Sequence, residues 1–305
     1  MHPLNLTSLL LLLLTSFTFH PSVDGQALSL FSQPLYFPPP TDSWQTLDPA
    51  QLNWCPEKLD SLQEFVGEAN TKAFIVLKDG KIVLEWYFDE FGQDSLWYWA
   101  SAGKTVTAAL VGIAQEEGYL DITDPAADYL GPGWTDCDQY EPQITIRNQL
   151  TMTSGLDDGV PDNHCTLDTC LQCLAEPGTR WAYHNAPYTL LRDVLEAATG
   201  QNINLYFKNK IGDKIGAAGA FIPSGFNNVF FSTPRNMARF GLMILAGGKW
   251  AGEPVIADTA YFQDMITPSQ PLNKAYGYLW WLNGKGEHML PGLQFVFPTD
   301  LIPAG

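Results

Sequence analysis

SAGKTVTAALVGIAQEEG, residues 101–118, is the stretch from which this chain is read. It opens S-x-x-K, Ser101 to Lys104, and continues with an apolar pattern of helical period. Residues i and i+3 share one face of a helix, so the spacing sets a hydroxyl beside an amine within one turn. A serine needs a base at contact distance to act as a nucleophile, and a desolvated lysine is such a base. Val106, Ala108, Ala109 and Leu110 suggest a buried helix, and burial lowers a lysine pKa. The plainer roles are an N-cap for Ser101 and an exposed helix charge for Lys104. For Ser101 the two roles are compatible, because a helix N-terminus also favours a developing oxyanion.

Upstream, AFIVLKDGKIVLEWYF (73–88) places two β-prone runs on either side of Asp79-Gly80, a strong hairpin signal. Before it, Leu59, Leu62 and Phe65-Val66 recur at helical spacing from Pro56 on. PLYFPPPTDSWQTL (34–47) is too rich in proline for a helix and reads as an extended arm. Downstream, residues 119–230 read as helices and loops, with Thr145 capping a short helix through Met152. A second helix is expected over 186–199, closed by Gly200. Thr233-Pro234 opens another that runs to Leu245 and stops at Gly247-Gly248. Tyr276 to Leu282 is aromatic and β-prone, the candidate third strand of a single sheet. The expected architecture is α+β: an antiparallel sheet lobe and a large helical lobe, with the cleft between them.

Together, Ser101-x-x-Lys104, the turn LTMTSGLDD (150–158) and Tyr183-His184-Asn185 resemble the serine beta-lactamase and penicillin-binding-protein superfamily. The likeness is to its Y-x-N branch of class C beta-lactamases, D-Ala-D-Ala peptidases and related esterases and amide hydrolases. It runs from about Phe74 to near the end, through PGTRWAYHNAPYTLL (177–191), ARFGLMILAGGKW (238–250) and YGYLWWLNG (276–284). The resemblance implies the beta-lactamase/transpeptidase-like fold and acyl-enzyme chemistry with Ser101 as nucleophile, Lys104 as base and Tyr183 relaying a proton. Asn185 would bind the substrate carbonyl or steady Lys104, or else simply cap a loop. The oxyanion hole would use the Ser101 N–H and a second N–H from a late strand bearing a K-T-G-like triplet. The chain reaches Leu301-Ile302-Pro303-Ala304-Gly305 without such a triplet, so a domain incomplete at its C-terminal strands is expected. Of the aromatics, Trp280 reads as core. One of Trp97 to Trp99 is expected to face the cleft, with Trp99 the candidate substrate-binding residue. His184 would point away from the cleft.

The chain has 305 residues, 46% of them apolar, enough for a sizeable core. Sixteen Lys and Arg against 33 Asp and Glu give a net charge of −17, which argues against nucleic acid and anionic lipid as partners. Residues 1–25, with the leucine run Leu9 to Leu14, read as a secretory signal peptide. An extended arm follows over 26–55 and a hydrolase domain over 56–305. An exported chain pairs its cysteines, and Cys165, Cys170 and Cys173 crowd one loop before Tyr183. They fit a staple at the rim of the site, with a zinc site including His164 as the alternative. Five cysteines leave one over. The expected function is a secreted or periplasmic serine hydrolase of small esters or amides, with no metal or cofactor and no stable membrane insertion once the leader is removed. The alternative is a catalytically impaired binding protein that has kept the cleft.

Overall fold

The computed structural model describes residues 34–41 and 43–302. The expected leader and the start of the arm, through residue 33, lie outside the described residues.

The chain enters as the arm and lies against the first hairpin. β1 (Ala73–Lys78) and β2 (Lys81–Tyr87) pair antiparallel through Asp79 (φ 50°) and Gly80 (φ 83°). Two consecutive positive φ values are what a two-residue hairpin turn needs to match strand twist. A side chain at Gly80 would run into the Tyr36 carbonyl, its Cβ only 1.8 Å from that oxygen. The arm adds a short parallel pairing at Thr46–Ile82. Prolines offer carbonyls without matching N–H groups, and the buried Arg239 collects them. It donates to Pro38 O, Pro39 O and Thr41 O at 3.2, 2.6 and 3.1 Å. Among the described residues from 34 on, this segment has no helix before a 3-10 turn at Pro49–Leu52.

α1 (Pro56–Glu68) forms as its spacing predicts, but it sits at the margin. Only Val66 is buried, and Phe65, expected in the apolar stripe, is 68% exposed. α2 (Lys104–Glu116) is the opposite case. From Val106 to Ala114 every residue is buried, and the helix packs against α6 (Leu191–Thr199) and α10 (Thr259–Met265). The Tyr261 hydroxyl donates to Ala108 O at 2.7 Å. Its ring lies so close that a Cβ on Gly112 would stand 2.2 Å from it.

Between these lie α3 (Ala127–Leu130) and α4 (Ile146–Leu150). Thr145 caps α4 in a reciprocal box with Asn148. The helix expected over 186–199 is two, α5 (Asn185–Thr189) and α6, separated at Leu190 and closed by left-handed Gly200. Thr189 Oγ donates back to Asn185 O at 2.9 Å, a bond that competes with the helical ladder and favours a bend there. α7 (Ile203–Phe207) and α8 (Asp213–Ile215) follow. α9 (Pro234–Leu245) starts at Thr233-Pro234 as expected.

Two strand expectations fail. β4 (Gly219–Ser224) and β5 (Asn227–Ser232) form a hairpin inside the region read as helix and loop. Its turn holds Gly225 at φ 58°, and its Pro223 lies on the edge strand, where a missing N–H is harmless. The short β3 (Trp97–Tyr98) joins β5, giving the order β3-β5-β4. Tyr276–Leu282, by contrast, is a tight loop closed by the single bridge Tyr276–Trp281, with Leu279 at φ 59°. Gly277 is wedged against the Met265 carbonyl, so this stretch is a packing piece under α10. In place of one interrupted sheet, the described residues form three small antiparallel ones, the last being β6 (Lys249–Trp250) with β7 (Glu253–Pro254). Among the described residues, no helix is long and apolar enough to cross a membrane.

Candidate active site

β3 delivers the chain to the site. Ala100, at φ 46°, turns the backbone into a 3-10 turn, Ala100–Gly103, which runs directly into α2. In 3-10 geometry residues i and i+3 line up closely. Lys104 Nζ accordingly donates to Ser101 Oγ at 3.3 Å. A left-handed alanine costs of order 1 kcal/mol and is held here by the packing around it. Gly103 allows the turn to seat, since a Cβ there would stand 3.0 Å from Phe230 Cβ.

Lys104 is 5% exposed. Its ammonium nitrogen lies 4.2 Å from the centre of the Tyr188 ring and 5.2 Å from that of Tyr183. Burial pulls its pKa down from 10.5 to about 8. The cation–π contacts offset part of that burial cost. Tyr183 behaves differently. Burial holds its phenol above the ordinary value, while hydrogen bonds with Ser101 and Trp281 pull the other way. The phenol therefore keeps its proton, and the lysine, increasingly neutral as pH rises to about 8, is the group that can take one. Trp281 stacks on Tyr183 at 5.7 Å, and Tyr276 meets that ring edge-on at 6.1 Å. These contacts fix the phenol's direction.

Ser101 and Lys104 open on a cleft of about 540 Å³. Asn185, Tyr188 and His164 line one wall, and Tyr98, Val229 and Phe231 the other. Among the described residues of this lining, Lys104 is the one lysine or arginine and there is no carboxylate. A second cavity of about 540 Å³ lies between β1 and α9, with Lys72 its one titratable lining residue.

Of the residues read from sequence, Ser101, Lys104, Tyr183 and Asn185 come together here. Trp99 does not. It is buried beneath β5, donating to Ser232 Oγ at 2.7 Å and packing edge-on against Phe230 and Phe240. Its neighbour Tyr98, the last residue of β3, lines the cleft instead, the chain leaving the strand at Trp99, whose backbone is already helical (φ −81°, ψ −5°). His184 is buried away from the cleft, and desolvation lowers its pKa to about 4. Tyr188, Ser224, Asn227 and Asn228 were not foreseen: Tyr188 stands one helical turn beyond His184, and the other three sit on the unforeseen hairpin. His164 was noticed only as a metal-ligand alternative.

That alternative is excluded by the cysteines, which are joined as Cys165–Cys170 and Cys137–Cys173. Cys55 is the unpaired one and is exposed. The five-residue span of Cys165–Cys170 begins directly after His164, so one staple does stand at the rim. The other pins the small cluster of Trp134, Ile144, Leu156 and Leu171.

Comparison with known proteins shows the family and the fold. The chain is 23% identical over 303 residues to 6-aminohexanoate-dimer hydrolase of Paenarthrobacter ureafaciens, covering 83% of this chain and 76% of that one. It is 29% identical over 150 residues to penicillin-binding protein 4* of Bacillus subtilis strain 168, covering 44% of this chain and 30% of that one. Among solved structures it is similar in fold to the octameric penicillin-binding protein homologue from Pyrococcus abyssi. There the TM-score is 0.58 at 18% identity, over 75% or less of each chain: 74% of this one and 64% of that one. The profile of the Beta-lactamase family matches residues 62–293, a span that holds the whole Ser101–Lys104–Tyr183 arrangement, and the chain belongs to that family.

Proposed function

We propose that this member of the family is an exported serine hydrolase of small, uncharged carboxylic amides and esters, working through an acyl-enzyme. Ser101 is the nucleophile. Lys104 takes its proton as Oγ bonds to the substrate carbonyl carbon. Tyr183, still protonated, passes a proton to the departing amine or alcohol as the old bond breaks. The proton on Lys104 then refills Tyr183; water attacks the ester on Ser101, gives its proton to the neutral Lys104, and Lys104 passes it to Ser101 Oγ as that bond breaks and the acid is released. Asn185 contacts the substrate.

The observation that carries this reading is the buried Lys104 ammonium, 3.3 Å from Ser101 Oγ, with burial bringing its pKa to about 8. A lysine desolvated to that degree without a purpose is costly. Among the described residues lining the cleft the proposed base is the one cation, which favours uncharged substrates. The two disulfides support an oxidising destination.

The test is mass spectrometry of the protein quenched during turnover of p-nitrophenyl acetate. An acetyl group on the Ser101 peptide, absent from Ser101→Ala, is expected. Turnover without a Ser101 adduct that persists in Ser101→Ala would overturn the mechanism. Ligand binding with neither turnover nor adduct would favour a binding protein.

A further inference from the structure

A buried ammonium is ordinarily met by a carboxylate. The groups around Lys104 are of another kind. The rings of Tyr183 and of Tyr188 on α5 lie against its Nζ. His164 shares the cleft lining, its ring between the side-chain amides of Asn185 and Asn227 at 3.4 and 2.6 Å. The wholly buried Tyr276 phenol interacts with both tyrosines. On α6, Arg192 lines a small cavity with Tyr188 and Thr107. The one carboxylate in this set, Asp193, is paired with Arg192 at 2.6 Å. Burial holds the three phenols above their ordinary value, so each is uncharged near neutral pH.

What remains for the ammonium is the face of a ring. An aromatic face is negative and attracts a cation within about 6 Å of its centre. Nζ lies 4.2 Å from the centre of Tyr188 and 5.2 Å from that of Tyr183. The attraction falls with distance, so Tyr188 supplies the larger part of it. That ring is also firmly held. It is buried, and its hydroxyl bonds with the buried Thr107. Thr107 stands three residues after Lys104, on the same face of α2. The turn of helix that carries the lysine therefore also fixes the ring over it. On either side of Tyr188, Gln149 Nε2 donates to Pro187 O and Thr189 Oγ to Asn185 O, each at 2.9 Å, which ties α5 down.

We propose that Tyr188 is a positioning residue for the reaction: the face of its ring holds the Lys104 ammonium beside Ser101, so that this ring, and no carboxylate, sets the pH above which the site works. Burial drives the proton off the lysine, and the ring face draws it back. A carboxylate in the same place would hold the proton far more strongly and leave the amine charged when a base is needed. The inference rests on Lys104 being the base that takes the Ser101 proton.

The experiment replaces Tyr188 by phenylalanine and then by phenylalanines bearing one, two and three ring fluorines, introduced into the whole chain by nonsense suppression. Fluorine alters the shape of the ring little and withdraws negative charge from its face step by step. Two curves are measured for each protein. One is the pH profile of kcat/KM on p-nitrophenyl acetate. The other is the titration of the Lys104 ¹³Cε signal without substrate, assigned with Lys104→Met. Tyr188→Phe keeps the ring face, so both midpoints should stay within about 0.3 pH unit of the wild type. Through the fluorine series both should fall stepwise, by about one pH unit in total. Midpoints that ignore fluorination, as a merely structural ring would give, or that rise with it, overturn the proposal. A Lys104 signal that follows the series while kcat/KM does not means that Lys104 is not the base. That outcome overturns the underlying mechanism, and with it the ring's part in the reaction. Activity that survives Ser101→Ala overturns that mechanism as well.

Discussion

The two walls of the cleft are built by opposite means. On one side, α2 is buried through nine consecutive residues, and Lys104, Tyr183 and Tyr188 stand in a continuous aromatic pack. On the other, β3 is two residues long, Tyr98 is 46% exposed, and Val229 and Phe231 are half-buried. Proton transfer demands atoms held to fractions of an ångström, which only close packing on several sides supplies. Contact with a substrate's apolar portion demands only surface, and an exposed sheet face provides that at little structural cost. The difference predicts that the helical wall sets kcat and the sheet wall sets KM.

The largest effect should come from Ser101→Ala, with kcat lost by about 10⁴-fold or more in stopped-flow or steady-state assays of ester hydrolysis. Retention of a tenth of the activity would remove the helical wall from the chemistry. Next, Lys104→Met should lower kcat by about 10²–10⁴-fold, the range for a lost general base. It should also raise Tm at pH 7, because a buried ammonium no longer has to be desolvated. A fall in both would make Lys104 a structural residue.

The same lysine sets a pH dependence. Its folded pKa near 8 lies below its ordinary 10.5, so between those values the unfolded chain binds more protons than the folded one. This group then makes stability rise with pH from about 8 to about 10.5, and below 8 its cost is constant. Activity needs the neutral amine, so kcat/KM should climb about tenfold per pH unit toward pH 8 and then level off. A flat profile from pH 6 to 9 would exclude Lys104 as the base.

Gly112→Ala is a gentler test of the same wall. A methyl there meets the Tyr261 ring at 2.2 Å, and overpacking of this kind costs about 1–3 kcal/mol in chemical denaturation. An unchanged midpoint would mean that α2 is less tightly held than its contacts show. Smallest of all, Val229→Ser on the sheet wall should raise KM for a butyryl ester by about three- to tenfold relative to the acetyl ester, with little change in Tm. An effect on kcat of the size seen for Lys104→Met would abolish the distinction between the walls.

Much of the helical wall is legible in the residues. S-x-x-K at one-turn spacing, the apolar run after it, Asp79-Gly80, Thr145 and Gly200 are local signals, and each stands where its chemistry places it. The sheet wall was not legible. FIPSGFNNVFF contains a proline and four polar or turn residues, and it becomes a hairpin because β3 pairs with it and Trp99 and Phe207 from outside pack on its Phe230 ring. YGYLWWL has the composition of a strand, yet folds as a loop because Gly277 and Leu279 follow the contour of α10. Tyr98 ends β3 and Trp99 begins the turn into α2, and where the strand stops depends on how β3 pairs with β5. His164 lies 21 residues from Asn185, too far for any periodicity to link them.

What the sequence determined by itself is the pairing of a serine with a lysine, the elements that frame them and the family to which they belong, because these depend on spacing within a few residues. What only the tertiary structure decided is the lysine's burial over two tyrosine rings, the choice of Tyr98 over Trp99 and the amide network around His164. Each joins segments tens of residues apart, and desolvation, ring packing and hydrogen-bond partnership exist only once those segments meet.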